Sequence, residues 1–280
     1  MTVANRKGRG SSGFTGAAPE GYQRAEVLGV AVVARAGMLD AVRTALKSGT
    51  LYEYAAQHEE ARSLAGRGIA YALPFPNGER VVVRHNRHGG LLASLTGDRF
   101  LPPTRAPREL AAALRLAREH VPTPEILAYA VYRAGPLFRR SDVVTREVRN
   151  GRDLAQLLTE GGDGERRVAL EAAAELIGLL SAVGARHHDL NVKNILLAND
   201  GGRAGRLLAF VLDVDRVEFG RGGDSRITEL NLARFARSAR KWRELYGARI
   251  DDVELARLAA TVRRVARSRP SATWPPRTRS

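Results

Sequence analysis

Residues 187–194 have the composition and spacing of a loop that transfers phosphoryl groups. The segment reads His187-His-Asp189-Leu-Asn-Val-Lys-Asn194 and matches the pattern H-x-D-L-x-x-x-N, with the asparagine five positions after the aspartate. In this pattern the carboxylate orients an acceptor hydroxyl and takes its proton, while the amide oxygen binds Mg²⁺. We therefore predict that Asp189 is the catalytic residue and that Asn194 is a metal ligand. We interpret His187 as a structural histidine bonded to the backbone.

A second group of carboxylates follows an apolar strand predicted at Leu207–Leu212. Asp213-Val-Asp215 ends this strand, and a strand–turn–strand unit starting after Asn194 brings the two ends together. Carboxylate and amide oxygens are the hard ligands that Mg²⁺ prefers. We predict Asp213 as the second metal ligand and Asp215 as an additional carboxylate at the metal. Lys193 has two open interpretations, a contact to phosphate or acceptor and a solvated loop charge.

A loop of this kind requires a phosphate-binding site upstream. Gly66-Arg-Gly68 precedes a predicted strand, where glycines allow backbone N–H groups to cover phosphates. Arg84 ends the β-branched run Val81–Arg84, at the position where a phosphate-binding lysine is expected. No lysine lies between Lys47 and Lys193. The guanidinium is therefore the candidate cation, since it can grip two phosphate oxygens at once.

Two acidic residues complete the predicted nucleotide site. Glu109 lies in the first turn of a helix that starts near Pro107 and is the candidate anchor for the Arg84 guanidinium. An alternative is that Glu109 only complements the helix dipole. Glu147 lies where the two predicted lobes join, and its backbone is the candidate hinge contact to adenine. The candidate nucleotide-binding residues are Gly66, Gly68, Arg84, Glu109 and Glu147, and Arg87 joins Lys193 as a candidate phosphate or acceptor contact.

The elements around these residues predict an α+β, protein-kinase-like fold of two lobes. A strand-rich front with one helix precedes a helix-rich back, and the amphipathic helix predicted over residues 166–183 leads directly into the catalytic segment. The predicted domains are an extension over residues 1–60 that caps the first lobe and is mobile over roughly its first 20 residues, a nucleotide lobe over 61–148, a reduced helical catalytic lobe over 149–268 and a basic, proline-rich tail over 269–280.

Composition limits the partners and the compartment. Lys and Arg number 45 against 30 Asp and Glu, and the net charge of +15 favours polyanions such as nucleotide phosphates or an acidic membrane surface. The absence of cysteine excludes a thiolate nucleophile and cysteine-ligated zinc. The longest apolar run, Val27–Ala34, is far shorter than the roughly 18 residues of a membrane-spanning helix. We expect a cytoplasmic protein that contacts a membrane from that side.

Several motifs together resemble the lipopolysaccharide kinase family over about residues 65–245. They are Gly66-Arg-Gly68, Val83-Arg-His-Asn-Arg-His-Gly-Gly90, Asp98-Arg-Phe100, Val121-Pro-Thr-Pro124, the catalytic segment, Asp213-x-Asp215 and Asn231-Leu-Ala-Arg-Phe-Ala-Arg-Ser238. The R-H-x-x-x-G-G strand exit and the D-x-D in place of D-F-G distinguish this family from protein kinases. The chain departs from the family at Asn86, where an aromatic residue is expected, and at Lys193, where histidine is more frequent.

This resemblance implies a kinase that phosphorylates a hydroxyl of 3-deoxy-D-manno-octulosonic acid (Kdo) attached to lipid A, on the cytoplasmic side of an inner membrane. The implied cofactors are ATP and Mg²⁺. The expected partners are a Kdo–lipid A glycolipid and an anionic membrane surface, with neither nucleic acid nor an obligate protein partner. Arg234, Arg237 and Arg240 repeat every three residues and are interpreted either as contacts to lipid headgroups or as a solvated face.

Two alternatives remain open from the residues. The first is a kinase of the same fold that acts on heptose or another small substrate. The second is a non-catalytic pseudokinase that binds polyanions, which the missing lysine at position 84 favours. The presence of Asp189, Asn194 and Asp213 together favours the enzyme.

Overall fold

A computed structural model of the chain describes residues 17–64, 68–86, 104–135, 137–199 and 206–268. The described residues form two compact units. One contains the residues up to Pro107 together with Ile126–Arg146, and the other contains Arg108–Glu125 and the residues from Glu147 onwards. The first unit is rich in strands and the second in helices, which confirms the predicted α+β class.

The first unit is built on a seven-stranded sheet in which every neighbouring pair is antiparallel. The strands are β1 (Tyr22–Val27), β2 (Val30–Arg35), β3 (Arg62–Leu64), β4 (Ala70–Pro74), β5 (Arg80–His85), β6 (Ile126–Arg133) and β7 (Arg139–Arg146), in the order β1-β2-β6-β7-β5-β4-β3. Two short helices, α1 (Leu39–Ala45) and α2 (Leu51–Gln57), bury apolar residues against one face of this sheet. Residues 22–64, which the sequence analysis assigns mostly to an extension, therefore supply strands to the same sheet as β5.

The apolar run at Val27–Ala34 does not form one continuous strand. It is divided between β1 and β2 by a two-residue turn at Leu28 and Gly29, whose φ angles are 52° and 77°. The two strands then pair in register from Val27 and Val30 outward. Two positive φ angles match the turn type that suits the twist of a hairpin, although leucine rarely adopts such an angle.

Buried polar groups attach α2 to the strand that carries Arg84. Asp142 of β7 is fully buried, and its Oδ1 lies 2.5 Å from Nδ1 of His85 at the end of β5. Its Oδ2 accepts a hydrogen bond of 3.0 Å from the backbone N–H of Tyr52 in α2. A buried carboxylate is stable in such a place only when it is paired and hydrogen-bonded. The contacts fix the end of β5 next to Arg84.

The second unit contains most of the helices. They are α3 (Ala106–Arg118, from Arg108 onwards), α4 (Leu154–Glu160), α5 (Asp163–Ala182), α6 (Ser225–Tyr246) and α7 (Asp252–Ser268). Its strands are β8 (Arg152–Asp153), β9 (Ala185–His187), β10 (Ile195–Asn199), β11 (Leu207–Val211) and β12 (Val217–Phe219), which form a β11-β10-β8 sheet and a β12-β9 pair. The predicted hairpin after the catalytic segment corresponds to β10 and β11, which pair from Ile195 and Val211.

The core of the second unit is centred on α5. Leu176, Ile177 and Leu180 of this helix are buried, together with Phe235 of α6 and Val262 of α7. Gly178 allows α5 and α7 to approach closely, because a Cβ at this position would lie 2.6 Å from Cβ of Val265. The buried face of α5 thus holds the C-terminal half of this helix in the core. The chain enters the catalytic segment directly after it.

Candidate catalytic site

A tight turn delivers the chain from α5 into the catalytic segment. Gly184 follows α5 with a φ of +71°, and a Cβ there would lie 2.6 Å from the backbone oxygen of Gly220. The Gly184 carbonyl accepts a hydrogen bond of 2.8 Å from the Gly220 N–H. β9 then starts at Ala185 and pairs with β12, with His187 opposite Val217. Glycine is needed at position 184 for both its backbone angle and its lack of a side chain.

Side-chain amides shape the loop after β9. The Asp189 carbonyl accepts two hydrogen bonds of 2.9 Å, one from Asn191 Nδ2 and one from Asn194 Nδ2. Asn191 Oδ1 in turn accepts from the backbone N–H groups of Lys193 and Asn194, at 2.9 and 3.1 Å. These bonds fold residues 189–194 into a compact turn that ends in a short 3-10 helix at Val192–Asn194. Asp189 and Asn194 are thereby in contact, as the motif spacing predicts.

His187 connects this loop to the end of β11. Its Nδ1 accepts a hydrogen bond of 3.1 Å from the Asp189 N–H, so the ring proton is on Nε2, which lies 2.9 Å from the Leu212 carbonyl oxygen. The residue is 1% exposed. Burial lowers the pKa of the imidazole, against the opposing effects of the Leu212 carbonyl and of Asp213, Asp189 and Asp215. His187 is therefore a neutral structural histidine bonded to the backbone, which confirms its predicted role.

The same Leu212 brings Asp213 next to Asn194. The Leu212 N–H donates a hydrogen bond of 2.9 Å to the Asn194 carbonyl, directly where β10 begins and β11 has ended. Asp213 is exposed and has a left-handed backbone, with φ 53° and ψ 47°. An L-residue other than glycine in this region costs about 1–2 kcal/mol. This backbone angle turns the chain sharply after β11, directly beside Asn194.

The residues present fit a magnesium ion. Asn194 uses its Nδ2 for the Asp189 carbonyl, and among the described residues its Oδ1 and the Asp213 carboxylate accept no hydrogen bond. No three acidic or histidine side chains among the described residues form a set able to hold a metal alone. Mg²⁺ commonly uses one or two protein oxygens and takes its other ligands from phosphates and water. Asn194 and Asp213 are such a pair of oxygen donors.

Side chains of helix α6 bind the backbone of β9 and of the catalytic loop. Asn231 is fully buried, and its Oδ1 accepts from the His187 N–H at 3.1 Å while its Nδ2 donates to the Ala185 carbonyl at 2.9 Å. Ser238, two turns further on, accepts from the Val192 N–H at 3.3 Å. A buried amide that satisfies two backbone groups holds them in one arrangement. The supporting role of Asn231 was not predicted from the sequence.

Arg234 on the same helix contacts Asp189 directly. Its Nη2 lies 2.5 Å from Asp189 Oδ1, and its Nε donates to the His188 carbonyl at 3.3 Å. The interpretation of Arg234 as one of three arginines on a lipid-facing or solvated face is wrong, since its guanidinium points to the catalytic loop. Arg240 is likewise paired, with Asp252 at 3.1 Å. Arg237 remains exposed.

The charged residues beside the loop are also paired. Lys193 Nζ lies 3.0 Å from Asp153 Oδ2 and 5.3 Å from the ring centre of Trp242. His188 Nε2 lies 2.8 Å from a carboxylate oxygen of Glu218, and this hydrogen bond lowers the pKa of Glu218. Lys193 is thus held in an ion pair at the edge of the loop, and a contact of its ammonium with phosphate or acceptor stays a prediction.

The predicted nucleotide-binding residues belong to several elements. Arg84 lies in β5 of the first unit, and its Nη1 donates to Asn86 Oδ1 at 2.9 Å. Asn86 is buried and donates to Ser141 Oγ at 3.3 Å, so the residue that departs from the family positions the arginine. Glu109 is buried in α3, which belongs to the second unit from Arg108 onwards. The pairing of Arg84 with Glu109 stays a prediction.

For the remaining predicted site residues, the structure gives only their position and exposure. Glu147 is half-buried at the start of the second unit, directly after β7. Gly68 is exposed before β4, and Asp215 is half-buried in the short 3-10 turn after Asp213. Gly66 and Arg87 lie outside the described residues. No described helix has both the length and the apolar character needed to span a bilayer.

Comparisons with known proteins point to a single family. The family described as "Lipopolysaccharide kinase (Kdo/WaaP) family" matches residues 54–260. A 3-deoxy-D-manno-octulosonic acid kinase of Xanthomonas oryzae pv. oryzae is 34% identical over 184 residues, which are 64% of this chain and 68% of the relative. The enzyme of the same name from Vibrio vulnificus is 30% identical over 197 residues, 67% of this chain and 76% of the relative.

Solved structures were compared as well. The structure titled "WaaP in complex with acyl carrier protein" is 21% identical and has a TM-score of 0.45, covering 75% of this chain and 83% of that one.

Proposed function

Since this chain belongs to the lipopolysaccharide kinase (Kdo/WaaP) family, we propose that it transfers the γ-phosphoryl group of ATP to a hydroxyl of Kdo attached to lipid A. The class of reaction follows from the family. The acceptor is proposed because the relatives from Xanthomonas and Vibrio are both named Kdo kinases. The main support from the structure is a chain of hydrogen bonds. Asn194 binds the Asp189 carbonyl, and His187 binds both the Asp189 N–H and the carbonyl of Leu212, the residue directly before Asp213. The Leu212 N–H in turn donates to the Asn194 carbonyl.

Each residue of this group has a distinct role in the proposed reaction. The Asp189 carboxylate accepts a hydrogen bond from the acceptor hydroxyl and takes its proton as the new O–P bond forms. The bond from the γ-phosphorus to the bridging oxygen breaks, and ADP leaves. Asn194 and Asp213 are the proposed ligands of Mg²⁺, which neutralises charge on the phosphates when it is bound. Asp215 is the proposed additional carboxylate.

Five residues predicted from the sequence are proposed to bind the nucleotide. Arg84 replaces the expected lysine and is positioned by Asn86, so that its guanidinium can hold two phosphate oxygens. Glu109 is the proposed anchor of that guanidinium, the backbone at Glu147 the proposed adenine contact, and Gly66 and Gly68 the proposed phosphate loop. Arg87 and Lys193 are proposed contacts of phosphate or acceptor.

We propose that the reaction takes place at the cytoplasmic face of an inner membrane. The acceptor is a glycolipid, and the net charge of +15 favours an anionic membrane surface. In this arrangement the protein binds the membrane from one side and does not cross it.

Transfer of radiolabelled phosphate from ATP to purified Kdo–lipid A tests the proposal. We expect transfer by the wild type and a loss of about 10²–10⁴-fold in Asp189→Asn, because a positioned general base contributes this much. Asp213→Asn should also be inactive. Asp163→Asn is the matched control, since its carboxylate is 88% exposed on α5.

The other outcomes point to the alternatives. Transfer only to a heptose-containing acceptor would identify heptose, and not Kdo, as the sugar that this enzyme phosphorylates. ATP binding without transfer to either acceptor would indicate a pseudokinase. Normal transfer by both Asp189→Asn and Asp213→Asn would contradict the assigned roles.

A further inference from the structure

We propose that Arg234 is a positioning residue that holds the Asp189 carboxylate in its working orientation. The inference rests on the proposed catalytic role of Asp189. The guanidinium spans two consecutive residues of the loop: Nη2 binds Asp189 Oδ1 at 2.5 Å, and Nε binds the His188 carbonyl at 3.3 Å. A planar fork with two separate bonds fixes direction as well as distance.

Three further bonds of Asp189 hold its main chain. Its N–H donates to His187 Nδ1, and its carbonyl accepts from Asn191 and Asn194. These bonds set where the backbone of the residue lies. Arg234 contacts the carboxylate itself, which is only 10% exposed. An ion pair that is mostly shielded from water loses little of its strength to solvent.

Arg234 lies on a part of α6 that is packed against the rest of the second unit. It lies three residues after Asn231, whose side chain binds both ends of β9, and next to Phe235, which is fully buried. One helix, α6, therefore positions both the strand that enters the loop and the carboxylate within it. Sites held by residues on packed helices keep their geometry better than sites held by loops.

The charge of Arg234 also suits its position beside the loop. Asp213 and Asp215 follow β11, whose end is joined to the catalytic loop through His187 and Leu212. His187 is neutral because it is buried, and Lys193 is paired with Asp153. The Arg234 guanidinium is a cation that contacts the Asp189 carboxylate directly, and an adjacent positive charge stabilises a carboxylate. It cannot take the proton from the acceptor, since it remains charged throughout.

Four variants test the inference, namely Arg234→Gln, Arg234→Lys, Arg234→Ala and, as a matched control on the same helix, Arg237→Gln. Turnover is followed as ADP release with the acceptor that the wild type uses. We expect kcat of Arg234→Gln to fall about 10–100-fold, because small misplacements of a catalytic group have effects of this size. The KM for ATP should stay within about two-fold. Arg234→Lys should retain more activity than Arg234→Gln, since the charge remains and the second bond is lost.

Chemical rescue separates positioning from folding. Guanidinium ion at low, non-denaturing concentration should restore part of the turnover of Arg234→Ala and should leave Arg237→Gln unchanged. The inference is wrong if Arg234→Gln keeps its kcat within two-fold of the wild type, or if Arg237→Gln loses as much. It is also wrong if Arg234→Ala melts at the wild-type temperature but is not rescued.

A readout without an acceptor distinguishes this inference from the proposed function. Amide hydrogen exchange over residues 187–194 should accelerate in Arg234→Gln and stay unchanged in Arg237→Gln. Unchanged exchange in both variants would contradict the inference, even if the wild type is an active Kdo kinase. Conversely, a wild type that does not phosphorylate Kdo–lipid A but shows this difference would contradict only the proposed acceptor.

Discussion

His187 and Leu212 are joined by a hydrogen bond of 2.9 Å from the imidazole Nε2 to the backbone carbonyl. The opposite nitrogen of the ring accepts from the Asp189 N–H. A single buried ring therefore sets the distance between the loop that holds Asp189 and the strand end that holds Asp213. The two bonds together require the neutral imidazole with its proton on Nε2, because Nδ1 can accept only when it carries no proton.

The stability of the protein should fall as the pH is lowered through the normal range of histidine. Burial lowers the pKa of His187 in the folded state, while the unfolded chain takes a proton near pH 6.5. Below that pH the unfolded state binds more protons, so this contribution is complete above about pH 6.5 and is lost below it, by at most about 1.4 kcal/mol per pH unit. Urea unfolding at pH 7.5, 6.5 and 5.5 measures it.

The variant His187→Gln provides the comparison for this prediction. We expect it to be less stable than the wild type at pH 7.5 and to lose less stability between pH 7.5 and 5.5. His58→Gln, at a half-buried position in the first unit, should keep the wild-type dependence. An identical slope in the wild type and His187→Gln would show that another group is responsible.

Asn231→Ala should destabilise the protein and reduce its activity together. The variant leaves the His187 N–H and the Ala185 carbonyl without their partner, and each buried group without a hydrogen bond costs about 1–3 kcal/mol. Chemical unfolding gives the change in stability. Lys241→Ala, at an exposed position of the same helix, should stay within about 0.5 kcal/mol of the wild type. Equal stability of Asn231→Ala and Lys241→Ala would contradict the supporting role of Asn231.

Gly184→Ala should damage the turn into the catalytic loop. The new Cβ would meet backbone oxygens of Gly220 and Arg221 at 2.6 and 2.7 Å, and the residue has a φ of +71°. The loss should exceed about 1 kcal/mol, because neither the angle nor the space suits a side chain. Gly164→Ala is the control, since a Cβ in that part of α5 meets nothing within 4 Å. It should be neutral or stabilising by about 0.4–1 kcal/mol in thermal unfolding.

Replacing Arg84 by glutamine should weaken ATP binding. A guanidinium that contacts phosphates contributes charge-assisted hydrogen bonds of about 1.5–3 kcal/mol each, so the Kd for ATP should rise at least about ten-fold. Titration calorimetry with ATP and Mg²⁺ measures it. Arg80→Gln is the control, because Arg80 lies four residues earlier on the same strand and the same face. Equal affinity of wild type and Arg84→Gln would remove Arg84 from the nucleotide site.

The motif residues could be found from the sequence because their relationship is local. The Asp189–Asn194 spacing is set by one short turn, and the side chains that make this turn all lie within residues 187–194. The hairpin at Leu28 and Gly29 has no such local signal in the sequence. Its turn needs two positive φ angles, and leucine in place of asparagine gives no signal of them.

The contacts of Arg234 and Asn231 with the catalytic loop could not be predicted, because they join residues 45 and 44 positions apart. A spacing of three residues along a helix falls about 60° short of a full turn. Arg234, Arg237 and Arg240 therefore spread around α6 and do not share one face. The sequence pattern shows this periodicity, but only the packing of α6 against β9 decides which arginine meets the loop.

The partners of the catalytic loop come almost entirely from later parts of the chain. Leu212, Asn231, Arg234 and Ser238 follow Asn194 by at least one strand or helix. During synthesis, a nascent chain that has emerged only as far as β12 already contains Asp189, Asn194 and Asp213. It still lacks α6, whose side chains bind the catalytic loop and β9. The site should thus be among the last parts of this unit to form on the ribosome, after α6 has left the exit tunnel.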